Sequence, residues 1–350
     1  MSKTYRISTS IGLLLVLFII ICRCSSSVAD FYALSIYPLI SDTLSFVSFT
    51  IPFSLQHIAI ALIICGAMFI LFHAFRKKMK WKNCLRYEAT ILLWTYIWFY
   101  MAWCNNYSRS SILERTATQQ CNFDEAQFKS FIDDYVHALN SEWTTDTVNN
   151  FAFLEYETKA FYKHTPAQYG LAEPKLWHHP KPMSINRFYS AVGVRGFMAP
   201  LFGESCINED LQAFDYPFVY AHEYSHLLGV SSEAEANWWA FHACISSTNQ
   251  AVRYSGYKGI LPYIMQNAKS TLSEEEYIEW ESKIRVEVIA DLKSTRQHWA
   301  ALRSPTLDNI QSTIYDFFLK SNNVSSGMKN YSEVVRLLIS IPSVHSKHIH

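Results

Sequence analysis

The sequence has no surplus of charge of either sign. Its 350 residues contain 30 lysines and arginines and 30 aspartates and glutamates, and no concentrated basic patch lies in residues 105–350. A phosphate-binding glycine loop is also missing. Because proteins bind nucleic acid mainly through basic surfaces, we expect no nucleic-acid partner.

Cysteine is too sparse for a disulfide scaffold, with eight in the chain. The first four lie in or beside apolar runs and the basic segment between them. The others, Cys104, Cys121, Cys206 and Cys244, are able to form one or two bridges in an oxidising compartment, and their pairing stays open. Cys244 is equally suited to a small, buried apolar position. None has zinc-finger spacing.

Charged residues are scarce in three apolar runs near the N-terminus. They predict transmembrane helices near residues 7–24, 53–75 and 88–104. Only the second comfortably reaches the roughly 20 residues that cross a bilayer, so the others need their semi-polar flanks. The first run also suits a cleaved signal peptide, although we favour an uncleaved anchor. The sequence therefore predicts a membrane region over residues 1–104 and one domain over residues 105–350.

Lysine and arginine are absent from residues 25–50 and concentrated in residues 76–86. Since loops rich in these residues stay in the cytoplasm, the basic segment is predicted to be cytoplasmic. A third crossing then delivers residues 105–350 to the outer side. We expect an integral membrane protein with the lipid bilayer as a partner and its main domain outside the cytoplasm.

The most specific motif is the H-E-x-x-H pattern of His222, Glu223 and His226. Residues four apart share a helix face, so the two histidines are able to hold one zinc ion while Glu223 acts as general base. A catalytic zinc ion keeps one coordination position for water. Pro217 suits the first turn of this helix and Gly229 its end.

A second helix is predicted to start just after Gly229, with Ser232 as N-cap and Glu235 at the capping-box position. Because this gives Glu235 a local role, Glu233 is predicted to be the third metal ligand. Asn237 is either a hydrogen-bond partner of a ligand histidine or an ordinary polar helix residue. The metzincin pattern would require histidine where Ser232 stands, so it fits poorly.

The rest of the domain is predicted to be largely helical. Helices are expected near residues 124–140, 150–162, 273–302, 307–320 and 331–339. Residues 193–201 predict a short strand, which is either a plain connection or an edge that pairs with an extended substrate. Histidines 178 and 179 follow no ligand spacing, so we expect a structural or solvated loop, and residues 345–350 a histidine-rich terminus.

Three side chains after the motif are weaker candidates for stabilising an oxyanion: His242, Tyr254 and Tyr257. The chain contains 21 tyrosines, so packing is the favoured role for these residues, and we leave them out of the predicted site.

Several segments also resemble known families. Residues 233–237 resemble the E-x-x-A-[DN] element on the second active-site helix of gluzincin metallopeptidases. Together with the H-E-x-x-H motif, the segments 193–197, 203–204, 315–320 and 331–335 resemble a family of bacterial membrane-anchored proteins of unknown function. Members of that family carry three N-terminal membrane segments and a gluzincin-type motif.

The resemblance implies a mainly α fold of the α+β type. N-terminal transmembrane helices would precede a zincin-like metallopeptidase domain with a small sheet, an active-site helix pair and a helical C-terminal part. It implies zinc ligands at His222, His226 and Glu233, with Glu223 as base, but no established substrate.

We therefore expect a zinc metallopeptidase in the inner membrane of a bacterium, with Glu223 as general base and zinc-activated water as nucleophile. Its partner would be a peptide or protein substrate. Two alternatives keep the same motif: a non-catalytic binding or assembly protein that retains zinc as a scaffold, and a zinc amidase that acts on a cell-wall component. Replacement of Glu223 distinguishes catalysis from the scaffold.

Overall fold

The computed structural model describes residues 3–120, 124–307, 309, 311–313, 316, 322, 331–341 and 343–344. It is mostly helical with a small three-stranded sheet, which confirms the coarse fold class. The chain divides into two compact units. Unit 1 consists of Met1–Ser110 with Met198–Glu204, and unit 2 consists of Ser111–Phe197 with Ser205–His350. The division at residue 104 into a membrane region and a zincin-like domain stays a prediction.

Unit 1 is built from helices that are apolar on their outer faces. Within its described residues the α-helices are α1 Lys3–Cys24, α2 Ser26–Phe31, α3 Tyr37–Ser48, α4 Leu55–Phe75 and α5 Trp81–Ala102. Large apolar side chains of α4, such as Leu62 and Met68, are more than half exposed. An exposed apolar surface of this extent suits a lipid environment better than water.

Two of the described helices are long and apolar enough to cross a membrane, Tyr5–Cys24 and Leu55–Phe75. The prediction of three such helices is corrected to two. The third predicted segment does form helix α5, but Lys82, Arg86 and Glu88 lie in its first turns. Its second half is rich in tryptophan and tyrosine, which are less apolar than aliphatic residues and favour the membrane interface.

The segment Met198–Glu204 belongs to unit 1 although it is distant in sequence. The buried Glu204 carboxylate accepts hydrogen bonds from the Ser54 hydroxyl at 2.8 Å and from the backbone N–H groups of Leu55 and Gln56 at 3.1 and 3.3 Å. Glu204 therefore caps the positive N-terminal end of α4, where backbone N–H groups lack helical partners.

Unit 2 contains most of the helices predicted after residue 105. Its described elements are α6 Ile112–Arg115, α7 Glu125–Glu142, α8 Phe151–Lys163, α9 Asn186–Ala191, α10 Tyr216–Leu227, α11 Glu233–Ile245, α12 Gln250–Thr271, α13 Glu274–Ser282, α14 Val286–Leu302 and α15 Tyr331–Ser340. The helices predicted at 124–140, 150–162 and 331–339 are confirmed as α7, α8 and α15.

The sheet is small and has β2 at one edge. Its strands are β1 Lys181–Pro182, β2 Gly196–Ala199 and β3 Glu204–Ile207, in the order β1-β3-β2. The outer strand β1 runs parallel to β3, with Lys181 opposite Cys206. The strand predicted within residues 193–201 is confirmed as β2, an edge strand of the sheet that the described residues form.

Helices α10, α11 and α12 form the centre of unit 2. Ten of the twelve residues of α10 and eleven of the thirteen residues of α11 are buried. Glycines on α12 allow close packing: a Cβ at Gly256 would lie 2.6 Å from Cys244 Cβ, and one at Gly259 would lie 2.4 Å from Phe218 Cγ. These contacts hold α12 against both helices of the motif.

The long helix predicted over 273–302 is wrong in one respect, because it is interrupted between α13 and α14. The predicted capping box of Ser273 and Glu276 starts α13. At the break, the Asn140 amide donates to the Lys283 carbonyl at 2.8 Å and accepts from the Arg285 N–H at 3.0 Å. A side chain from α7 thus replaces the helical partners of both groups.

Three other expectations concern disulfides, the helix predicted at 307–320 and the C-terminal histidines. No disulfide joins Cys104, Cys206 or Cys244 to another described cysteine. Cys121, most of the helix predicted at 307–320, and the histidines of residues 345–350 lie outside the described residues.

His178 has a structural position in the loop before β1. It is buried, its Nδ1 accepts the Lys175 backbone N–H at 3.3 Å, and its ring lies against Tyr224. Burial, together with the charges of Lys159 and Lys175, lowers the pKa of His178 to about 3. The predicted loop is confirmed, and this histidine stays neutral inside it.

We expect acid to destabilise unit 2 through His178. Its folded pKa lies below the unfolded value of about 6.5, so protonation favours the unfolded chain as pH falls through that value. Between about pH 6 and pH 4 the free energy of unfolding should decrease by about 1.4 kcal/mol per pH unit from this group. Thermal unfolding across this range should show a shallower pH dependence in His178→Asn, which keeps an acceptor for Lys175. The same change at the exposed His137 should leave the slope unaltered.

Candidate metal centre

The helix with the H-E-x-x-H motif begins where the sequence predicts. Pro217 occupies its first turn, where a missing N–H costs no helical hydrogen bond. The next backbone N–H, of Phe218, donates to the Ser255 hydroxyl of α12 at 3.1 Å. The N-terminus of α10 is therefore tied to the neighbouring core helix.

The same helix ends in a Schellman turn. Gly229 has a left-handed φ of 96°, a conformation that glycine adopts without steric cost. Its N–H donates to the His226 carbonyl at 3.0 Å, and the Val230 N–H donates to the Ser225 carbonyl at 3.2 Å. The predicted helix stop is confirmed, and the turn leads directly into α11.

Helix α11 starts at Glu233, with Ser232 as N-cap, as predicted. The Ser232 hydroxyl accepts the Glu235 N–H at 3.2 Å. The predicted capping box is wrong in its second half, because the Glu235 carboxylate pairs with Arg115 and accepts the Trp239 indole N–H at 3.1 Å. A buried arginine is a stronger partner than the backbone amide. Glu235 is thus occupied elsewhere, and Glu233 remains at the turn.

His222, His226 and Glu233 lie together. The two histidine Nε2 atoms are 3.1 Å apart, and Glu233 Oε2 lies 3.2 Å from His222 Nε2 and 3.8 Å from His226 Nε2. Among the described residues, these three side chains form the one group found that could hold a metal ion. A tetrahedral zinc ion with bonds of about 2.0–2.1 Å sets its ligand atoms about 3.3–3.4 Å apart. The observed spacing fits such an ion.

Hydrogen bonds to the other ring nitrogens orient both histidines. His226 Nδ1 lies 2.6 Å from the Val230 carbonyl oxygen, which only accepts, so Nδ1 carries the proton. His222 Nδ1 lies 3.0 Å from Asn237 Oδ1. Asn237 is therefore a hydrogen-bond partner of His222, which is one of the predicted ligands. In the neutral rings, both Nε2 lone pairs are left for a metal.

Electrostatics in the cluster favour a cation. Burial raises the pKa of Glu233, but hydrogen bonds from His222 and His226 outweigh it and hold the pKa well below its usual value. Burial lowers the pKa of His226, whereas the hydrogen bond and charge of Glu233 raise it more, to about 9. Histidine protons supply the positive charge beside Glu233 in these hydrogen bonds, and a metal ion would supply it in their place.

Glu223 is buried beside the cluster, and 39% of the Glu233 side-chain surface remains exposed. Burial raises the pKa of Glu223 to about 7, although the two histidines oppose the shift. Its Oε2 atom accepts no hydrogen bond from the described residues. The cluster is thus open to solvent on the Glu233 side and carries a carboxylate with an available oxygen.

Gly196 of β2 brings backbone next to this carboxylate. A Cβ at Gly196 would lie 2.3 Å from Glu223 Oε1, so any side chain there would displace the carboxylate. The sequence places Gly196 in a predicted strand and predicts no other role for it. A glycine inside a strand often marks close approach of another group, and this was the available signal.

The three weaker candidates have packing positions. Tyr254 donates a hydrogen bond to Asp291 at 2.5 Å, Tyr257 packs edge-on against Phe241, and His242 packs against Trp238. These contacts agree with the packing role that the sequence favours for the three residues.

A different tyrosine, Tyr263 of α12, contacts Asn237, the hydrogen-bond partner of His222. Its hydroxyl accepts a hydrogen bond from Asn237 Nδ2 at 2.9 Å. No motif marks this position among the chain's 21 tyrosines, so sequence reasoning missed it.

A family model described as "Protein of unknown function (DUF3810)" matches residues 32–339. The chain belongs to this family. Neither the curated proteins nor the solved structures contain a match to the sequence. The family description gives no activity, so its match leaves the gluzincin part of the resemblance a prediction.

Proposed function

We propose that the protein is a membrane-anchored zinc metallopeptidase of the gluzincin type, with a zincin-like unit 2. The observation that carries the proposal is the convergence of two histidine Nε2 atoms and one glutamate Oε2 atom at zinc spacing, beside the buried Glu223. A bound zinc ion would acidify a water molecule and polarise the carbonyl to be cleaved.

The roles of the side chains follow from their positions. His222, His226 and Glu233 would hold the ion, and Glu223 would accept a proton from the attacking water. The water oxygen forms a bond to the carbonyl carbon of the substrate, and the C–N bond breaks. Glu223 then passes the proton to the leaving amine nitrogen, which balances the hydrolysis.

The position of β2 at the edge of the described sheet favours an extended peptide as substrate over other amides. An extended peptide binds such an edge through main-chain hydrogen bonds. Gly196 places the β2 backbone against Glu223, so a peptide paired with this strand would run past the general base. This supports the edge-strand interpretation of residues 193–201 over a plain connection.

The membrane side depends on α5. Among the described helices, α1 and α4 qualify as spans, and two crossings return the chain to the side of its N-terminus. With residues 76–86 in the cytoplasm, unit 2 would then share that side, whereas the predicted outer location needs α5 to cross as well. Labelling an introduced unit 2 cysteine from outside intact cells distinguishes the two arrangements.

The direct test measures metal content and cleavage with the full chain in detergent. We expect one zinc ion per chain, lost in His222→Ala and His226→Ala but retained in the exposed control His137→Ala. Cleavage of a proteome-derived peptide library should follow the same pattern. A wild-type protein without zinc contradicts the proposal.

Two other outcomes separate the alternatives. Full zinc content without cleavage of any peptide contradicts a peptidase and favours a zinc-stabilised scaffold. Release of amide products from cell-wall material, with no peptide cleavage, favours the amidase.

A further inference from the structure

We infer that Tyr263 is a positioning residue, which through Asn237 holds His222 in the tautomer and orientation that a metal ion requires. The inference deepens the proposed function and rests on it for the identity of the ion. Its structural basis is the series of hydrogen bonds from Tyr263 to Asn237 to His222, at 2.9 and 3.0 Å.

The amide of Asn237 has one end that accepts hydrogen bonds and one that donates them. His222 needs the accepting end, because a proton on Nδ1 leaves the Nε2 lone pair facing His226 and Glu233. A single hydrogen bond to His222 would leave the amide able to turn by 180°. The second hydrogen bond, from Asn237 Nδ2 to the Tyr263 hydroxyl, fixes both ends.

Burial makes this second contact important. Asn237 is 6% exposed, so water is a poor substitute for the phenol at Nδ2. A buried donor without a partner costs about 1–3 kcal/mol, which would favour rotation of the amide. Loss of the Tyr263 hydroxyl should therefore disturb the amide, and His222 with it.

The close packing of α12 places the phenol correctly. Tyr263 lies four residues after Gly259, on the same face of α12. Gly259 is packed so tightly on Phe218 of α10 that a Cβ would not fit without movement. Tyr263 therefore reaches Asn237 from a helix that carries none of the three proposed ligands.

The experiment compares Tyr263→Phe in two backgrounds, the natural Asn237 and the variant Asn237→Asp. A carboxylate accepts hydrogen bonds at both ends, so either orientation holds the His222 Nδ1 proton. In the natural background, we expect Tyr263→Phe to weaken zinc binding by about 10-fold, at the lower end of the range for groups that support a ligand. In the Asn237→Asp background, the same change should leave zinc affinity unaltered.

A second readout does not depend on metal. The full chain, labelled with ¹⁵N-histidine and stripped of metal, reports which ring nitrogen carries the proton, and His222→Gln assigns the signal. We expect Tyr263→Phe to reduce the population of His222 with a protonated Nδ1 only in the natural Asn237 background. Tyr257→Phe, on the same helix, should change neither zinc affinity nor tautomer.

Three outcomes contradict the inference. Tyr263→Phe could leave tautomer and zinc affinity unchanged with the natural Asn237, or weaken zinc equally in both backgrounds, which would indicate a general packing role. It could also lower cleavage alone, which would place the phenol on the substrate. A protein that binds no zinc refutes the proposed function, while the tautomer measurement still decides the role of Tyr263.

Discussion

Replacing Glu223 with glutamine should lower the rate of peptide hydrolysis by about 10²–10⁴-fold, the usual contribution of a general base, with zinc content unchanged. Glutamine has the shape of glutamate but cannot accept the water proton. The ligands His222, His226 and Glu233 keep their own partners in this variant. Chemistry should therefore fail while metal binding persists.

The surroundings of Glu223 suit this substitution. Glutamine has nearly the same size as glutamate, and Gly196, at which a Cβ would lie 2.3 Å from Glu223 Oε1, stays unchanged beside it. Glu223 Oε2 accepts no hydrogen bond from the described residues, so the amide takes no existing partner away. We expect Glu223→Gln to fold and to melt near the wild-type temperature.

The measurement is cleavage of the best peptide found by library profiling, with zinc counted in the same samples. Glu275→Gln makes the same chemical change at an exposed glutamate of α13 and should retain full activity. If Glu223→Gln cleaves as fast as wild type, the catalytic proposal fails and the scaffold alternative is favoured. Loss of zinc would instead assign Glu223 to the ligand set.

The local parts of the site could be predicted because their signals lie within a few residues. The spacing of His222 and His226, the proline at the helix start and Gly229 at its end specify one helix and a tight turn. Ser232 then specifies the start of the next helix. These features bring Glu233 back toward the histidines through backbone hydrogen bonds of the turn alone.

The long-range partners could not be predicted in this way. Glu235 looks like half of a capping box, yet its carboxylate pairs with Arg115, 120 residues earlier. The helix break between α13 and α14 depends on Asn140, which precedes Lys283 by 143 residues. Local preference favours one conformation in each case, and a tertiary contact selects another.

The same limit applies to the sheet and the membrane helices. The strand around Gly196 can be predicted from the sequence. The assignment of Met198–Glu204 to unit 1 cannot, because the hydrogen-bond partners of Glu204 lie about 150 residues earlier, at the start of α4. For α5, an apolar run with semi-polar flanks predicts a span, whereas the charged first turns and aromatic second half leave it outside the two described helices that are apolar enough to cross. The spacing of apolar residues predicts that a segment is helical, but it does not predict which unit the segment packs in or whether it crosses a membrane.

Lys258 and Asp215 form a buried ion pair at the start of helix α10. We expect the loss of this ion pair to lower the stability of the folded chain more than the other substitutions considered. Lys258 Nζ donates to Asp215 Oδ1 at 2.5 Å and to the Thr295 hydroxyl at 2.9 Å, and Thr295 donates to Asp215 Oδ2 at 3.1 Å. The lysine and aspartate side chains are 2% and 7% exposed. Lys258→Met would leave the Asp215 charge buried without its cation, at a cost of about 3–5 kcal/mol.

The loss should be seen as a lower unfolding temperature of the full chain, and a second substitution tests its cause. In Lys258→Met with Asp215→Asn, no charge remains to be compensated, so most of the lost stability should return. The matched control is Lys283→Met, which removes an exposed ion pair with Asp133 at 2.9 Å and should have little effect, because water screens such pairs. If the single and double variants lose the same amount of stability, packing of the aliphatic part of Lys258, and not compensation of the Asp215 charge, stabilises the start of helix α10.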